Sequence, residues 1–135
     1  MRSLVAGIFG ALLATAGAVH ADVFDGSTSL LCATVDATEC PFGSECLERD
    51  AISISIPRFF RLNAADKRLE EVLPEGGGRT TDILNTQLLD DRVVFQGVEE
   101  GRAWSLILSK ESGDITMSAA DPGVTFSVFG ACTPL

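Results

Sequence analysis

The chain has no tyrosine, one tryptophan, two methionines and one histidine, and its ten lysines and arginines face nineteen aspartates and glutamates. Each scarcity excludes a class of chemistry. The single histidine, His20, lies in an N-terminal stretch that reads as removable, so the remaining domain has no Ser-His-Asp triad, Cys-His pair or histidine-ligated metal. The four cysteines lack the C-x-x-C spacing of zinc knuckles and redox pairs. Gly76-Gly77-Gly78 is followed by Arg79-Thr80 rather than by the Walker lysine, and the alternating acidic loop of an EF-hand is missing. A net charge of −9 repels phosphate backbones and anionic lipid, so nucleic acid is not an expected partner. The same charge would favour a cationic envelope protein, or simply keep the chain soluble.

Paired carboxylates are the remaining catalytic option. Glu70-Glu71, Asp90-Asp91 and Glu99-Glu100 are adjacent doublets, and neighbours on a strand point to opposite faces, so no doublet places both acids in one cleft. The sequence therefore assigns no catalytic residue, cofactor or metal ligand.

The first residues have a short basic start at Arg2 and an apolar stretch from Leu4 to Val19 interrupted by Gly7, Gly10 and Gly17. Val19-His20-Ala21 follows, with small residues at −3 and −1 of a cut after Ala21. This is the pattern of a signal peptide over residues 1–21; it is shorter than the about 20 continuous apolar residues of a membrane span. The expected mature domain, 22–135, is periplasmic or secreted, with no membrane insertion after cleavage. Its length suits one domain with its own core.

Cys32, Cys40, Cys46 and Cys132 all fall in that domain, and an even count in an exported chain reads first as disulfides. Four cysteines allow three pairings, among which sequence does not decide. Geometry favours one of them. Cys40 and Cys46 bracket the turn-rich Pro41-Phe42-Gly43-Ser44-Glu45, which leaves Cys32 and Cys132 to tie the first strand to the last.

From Ala51 onward the pattern has period two. Ile52, Ile54 and Ile56 alternate with Ser53 and Ser55; Trp104, Leu106 and Leu108 with Ser105 and Ser109; Ile115 and Met117 with Thr116 and Ser118; Val124, Phe126 and Val128 with Thr125 and Ser127. These are half-buried antiparallel strands, with Trp104 on the core parity. Glu99-Glu100-Gly101, Glu111-Ser112-Gly113-Asp114 and Asp121-Pro122-Gly123 are hairpin signals between them. The expected fold is all-β: a meander of about seven or eight strands closed as a barrel or sandwich to hide its edges.

Asn63 to Leu73 is read in two ways. Locally it is a short helix near 64–73, with an N-cap at Asn63 and apolar residues at 65, 69, 72 and 73. In context it is two strands joined around Ala64-Ala65-Asp66, which the surrounding meander favours. Pro74 to Arg79 is a loop. Pro57-Arg58-Phe59-Phe60-Arg61 interleaves basic and aromatic residues, but in so acidic a domain its arginines are expected to meet carboxylates.

The runs Gln96-Gly97-Val98-Glu99-Glu100-Gly101-Arg102-Ala103-Trp104-Ser105-Leu106, Ser112-Gly113-Asp114-Ile115-Thr116-Met117-Ser118 and Phe129-Gly130-Ala131-Cys132-Thr133 resemble a group of small exported proteobacterial proteins without an assigned activity. The resemblance implies compartment and fold and transfers no site residue. A looser likeness is to the small periplasmic lysozyme inhibitors, also disulfide-linked β-barrels; here Ser112-Gly113 is followed by Asp114 and reads as a hairpin turn. The expected function is a non-enzymatic binding or accessory protein of the cell envelope. The alternatives are an inhibitor of a basic envelope hydrolase and a small-ligand-binding barrel.

Overall fold

The computed structural model describes Val23–Leu135; the expected signal segment, residues 1–21, lies outside the described residues. Ten strands run in chain order: β1 (Leu30–Pro41), β2 (Leu47–Glu48), β3 (Phe59–Asn63), β4 (Arg68–Glu71), β5 (Thr80–Asp82), β6 (Asn85–Leu88), β7 (Arg92–Glu99), β8 (Arg102–Ser109), β9 (Asp114–Asp121) and β10 (Val124–Pro134). They form one antiparallel sheet in the order β5-β4-β3-β1-β10-β9-β8-β7-β6, with β2 beside β1. The count exceeds the expected seven or eight because β2 and β5 hold only two and three residues, too few to carry an alternation. No helix among the described residues is long and apolar enough to cross a membrane.

The sheet curls into a half-barrel whose outermost strands belong to one segment. Residues 80–82 pair with β4 and residues 85–88 with β7. At the switch between them the Ile83 amide donates to the Lys67 carbonyl at 2.8 Å and the Leu84 amide to the Gln96 carbonyl at 2.8 Å. The chain thereby occupies both edges that an open sheet would expose.

The three tight connections lie where the turn residues predict. Glu100 and Gly101 take φ of 50° and 86°, the left-handed pair of a type I′ turn that matches the twist of β7 and β8. Pro122-Gly123 joins β9 to β10, with Gly123 at φ 80°, a conformation in which a side chain is strained.

The helix considered near 64–73 is a hairpin. Asn63 does not cap a helix. Its Oδ1 accepts from the Asp66 amide at 3.2 Å and its Nδ2 donates to Asp66 Oδ2 at 2.7 Å, which closes the turn from β3 into β4. Leu62 and Leu69 then face each other in register and both are buried.

The strand expected through Ile52, Ile54 and Ile56 is replaced by a 3₁₀ turn at Ala51–Ile54. Asp50 caps it, its Oδ1 accepting from the Ile52 amide at 3.0 Å, and Ser55 ends it in the left-handed region at φ 59°. Ile54 and Ile56 are buried while Ile52 is 62% exposed. The segment packs against β1 instead of joining the sheet.

β1 pairs with β10 along its length, with one irregularity between Thr34 and Asp36. The extra residue there, Val35, shifts the inward parity from Leu30 and Cys32 to Ala37, as a bulge must. The core is one contiguous cluster that includes Phe95, Leu106, Leu108, Val93 and Val128, each at most 1% exposed. Trp104 is buried with them, at 7% exposed.

Two disulfides staple the sheet. Cys32 and Cys132 face each other across β1 and β10 and are joined; Cys40 is joined to Cys46. Neither pair is maintained in reducing cytosol, so the chain belongs to a non-cytoplasmic, oxidising compartment.

Candidate functional site

Trp104 on β8 has the smallest possible neighbours on either side: Gly97 of β7 and Ala119 of β9 lie directly opposite it. A Cβ at Gly97 would collide with the indole and would lie 2.5 Å from the Asp82 carbonyl oxygen. The glycine therefore lets the ring lie flat across the neighbouring strand. The room left beside the ring is a cavity of about 50 Å³.

Its walls are apolar, formed by Ile56, Phe60, Leu69, Met117 and Ala119. Ser55, Glu71, Arg79, Thr81, Glu99 and Arg102 break them. Trp104 Nε1 and Thr81 Oγ1 belong to residues that line this cavity, and both are buried without a hydrogen-bond partner. Such orphans are uncommon in folded proteins, and each costs about 1–3 kcal/mol if nothing meets it.

Two arginines fix the mouth. Arg102 Nε pairs with Asp121 at 2.8 Å and its Nη1 donates to the Ile54 carbonyl at 2.9 Å, with the guanidinium 4.4 Å above the Phe126 ring. Arg79 Nε pairs with Glu71 at 3.2 Å, its Nη1 lies 3.7 Å from Glu99, and its Nη2 donates to the Ser55 carbonyl at 3.1 Å. The arginines thus pin both ends of the Ile54-Ser55 link. Ser55, Arg79, Glu99 and Arg102 also line an adjoining polar vestibule of about 230 Å³, together with Glu100 and Asp121. The two cations are outnumbered by four carboxylates, Glu71, Glu99, Glu100 and Asp121, which leaves the mouth negative.

The Glu70-Glu71 doublet separates as strand geometry requires, Glu70 pairing outward with Arg61 at 3.3 Å while Glu71 lines the cavity. Glu99 and Glu100, however, both line the vestibule, because Glu100 lies in the turn after β7 and not on the strand. What the sequence did not reveal is that Glu71 and Glu99, one from each of two doublets, meet at a single arginine. Arg58 and Arg61 likewise meet carboxylates, Asp50 at 2.6 Å and Glu70. The carboxyls with lowered pKa lie on the surface away from the mouth. Asp25 is lowered chiefly by the Ser27 hydroxyl and amide, and Asp91 chiefly by its hydrogen bond with Arg92.

The four predicted cysteines sit in the staples and take no part in this cavity. Trp104 is a core residue, as its parity predicts, and a cavity wall as well. Gly97 was not singled out from the sequence, although it was the one residue that could have signalled the close approach beside Trp104, since a glycine inside an alternating strand marks one. Comparison with protein-family models, with curated proteins and with solved structures finds no match for this chain.

Proposed function

We propose that this is a non-enzymatic binding protein of the bacterial cell envelope, periplasmic or secreted, which takes a small molecule at the Trp104 cavity. The observation that carries the reading is the small apolar-walled cavity beside Trp104 with a polar vestibule adjoining it. Ligand sites are built in this way, with apolar walls for contact and a few polar groups for orientation. The signal-peptide pattern and the disulfides support the compartment. The run from Gln96 to Leu106 that resembles small exported proteobacterial proteins contains Gly97, Arg102 and Trp104, so the reading extends to that group.

The sole tryptophan is a built-in reporter. Adding a small-molecule extract of the host's own envelope to the mature protein should change Trp104 emission saturably. Ala119→Met, which fills the cavity from the facing strand, should abolish the change while the domain stays folded. An extract that leaves the wild-type emission unaltered would overturn the reading.

A second reading has its own observation. The Cys40–Cys46 staple presents Phe42 at 92% exposed, with its amide held by the Gly123 carbonyl at 2.8 Å. A preorganised aromatic tip loses little entropy on insertion into a partner, and this one sits on an acidic domain, as an inhibitor of a basic hydrolase would require. Ser112-Gly113 does not offer that loop, because Gly113 is buried against Phe24 and the Cys132 carbonyl. In a lysozyme lysis assay the wild-type protein should slow lysis and Phe42→Ala should not. No slowing by the wild type at micromolar concentration would dispose of this alternative.

A further inference from the structure

We propose that the free edge of β6 docks a second copy of this chain, strand to strand around a two-fold axis; this is independent of the Trp104 cavity. Residues 80–82 and 85–88 cover the edges of β4 and β7, but β6 itself has β7 as its only strand partner among the described residues. All four of its residues are exposed.

The register fixes which groups are free. The Leu89 amide donates to the Arg92 carbonyl at 2.9 Å, and the ladder continues as Leu88↔Val93, Gln87↔Val94, Thr86↔Phe95 and Asn85↔Gln96. Hydrogen-bonded and non-hydrogen-bonded pairs alternate between antiparallel strands, so Asn85 and Gln87 turn their backbone groups to β7 as Leu89 does. Thr86 and Leu88 turn theirs away, and neither bonds elsewhere in the backbone of the described residues. Their amides and carbonyls form a row on the open side, a template for another strand.

The usual protections of an edge are missing. From Leu84 to Leu89 there is no charge, proline or glycine, in a chain of net charge −9. Leu84, Leu88 and Leu89 are 70%, 65% and 45% exposed, so apolar side chains line the same edge.

Self-complementarity selects the occupant. A two-fold axis through Gln87 sets Thr86 of each copy opposite Leu88 of the other, and every free amide of the two residues then meets a carbonyl. A charged peptide would find no counter-charge between Leu84 and Leu89, whereas the chain's own segment brings none. Four residues at about 3.3 Å each span only about 13 Å, so the dimer is weak and depends on concentration. Two acidic copies also approach against like charge, so salt should strengthen their association by screening it.

Sedimentation equilibrium of the mature domain, from micromolar to millimolar concentration at low and high salt, tests this. The wild type should pass from monomer to dimer as concentration rises, with a smaller dissociation constant at high salt. Thr86→Pro removes an outward amide and no bond to β7. It should weaken the dimer about 10-fold or more, the loss of one neutral hydrogen bond on each side, with the backbone spectrum of β7 to β10 unchanged. Leu88→Glu, at an exposed position, leaves every backbone group in place and adds like charge; it should weaken the dimer too, most at low salt. Should Thr86→Pro disturb the spectrum, Leu88→Glu decides. A monomer at every concentration and salt would overturn the proposal. So would a dimer that Leu88→Glu leaves intact, since the copies would then meet on another face, or one that salt dissociates, since opposite charges would then hold it.

Discussion

Removing the Cys32–Cys132 bond should cost about twice the stability lost on removing Cys40–Cys46. The reason lies in the unfolded chain. Cys32 and Cys132 already oppose each other in the β1–β10 register, so the bond adds little to the folded geometry but closes a loop of sequence separation 100. In the chain-entropy treatment such a loop is worth about 4.7 kcal/mol at 25 °C, whereas a separation of 6 gives about 2.2 kcal/mol. Cys32 is fully buried and Cys132 nearly so, so alanines there also forfeit packing, which widens the gap. Urea unfolding of C32A/C132A and C40A/C46A, followed by Trp104 emission, measures both. With a slope of about 1.5 kcal/mol/M, the midpoints should fall by about 3 M and about 1.5 M. The first loss approaches the whole stability of a marginal domain. A C40A/C46A variant as destabilised as C32A/C132A, or more so, would refute the reasoning.

Gly97→Ala should destabilise by about 1–3 kcal/mol, because its methyl would meet the indole and the Asp82 carbonyl; urea unfolding should show this together with an altered Trp104 emission. Arg102→Ala should cost about 1–2 kcal/mol, read by thermal unfolding, since it removes the Asp121 pair, the bond to the Ile54 carbonyl and the stacking on Phe126; Asp121→Asn should cost less, because two of these contacts survive. The Asp25 carboxyl is held below its ordinary 3.8 chiefly by the Ser27 hydroxyl, so its stabilisation is full above that pH and is lost as pH falls below it. Ser27→Ala should therefore increase hydrogen exchange around residues 25–27 near neutral pH, an effect that fades as acid protonates the carboxyl.

The parts legible in the sequence are those in which side-chain parity and turn chemistry agree over many residues. Trp104-Leu106-Leu108 and Val124-Phe126-Val128 alternate without interruption, and Glu100-Gly101 and Pro122-Gly123 permit the turns their strands need. Legibility fails where a local signal has two uses. Ile52-Ile54-Ile56 alternates like a strand, yet Asp50 caps a 3₁₀ turn there and sends Ile52 outward. Asn63 is a sound helix cap that serves as a turn residue once Leu62 and Leu69 bury each other. The extra residue at Val35 reverses the parity of β1 midway. The cavity was beyond the sequence because Phe60, Leu69, Thr81, Trp104 and Met117 come from five different strands, and only the curl of the sheet brings them together.

The central claim is that the cavity beside the buried Trp104 ring takes a small molecule. Hydrogen exchange of this one indole proton tests it most directly, measured against the amides of Leu106 and Leu108 on the same strand, with and without the envelope extract. Exchange should slow at least several-fold when the extract is added, while the Leu106 and Leu108 amides keep their rates. An indole proton indifferent to the extract would contradict the account.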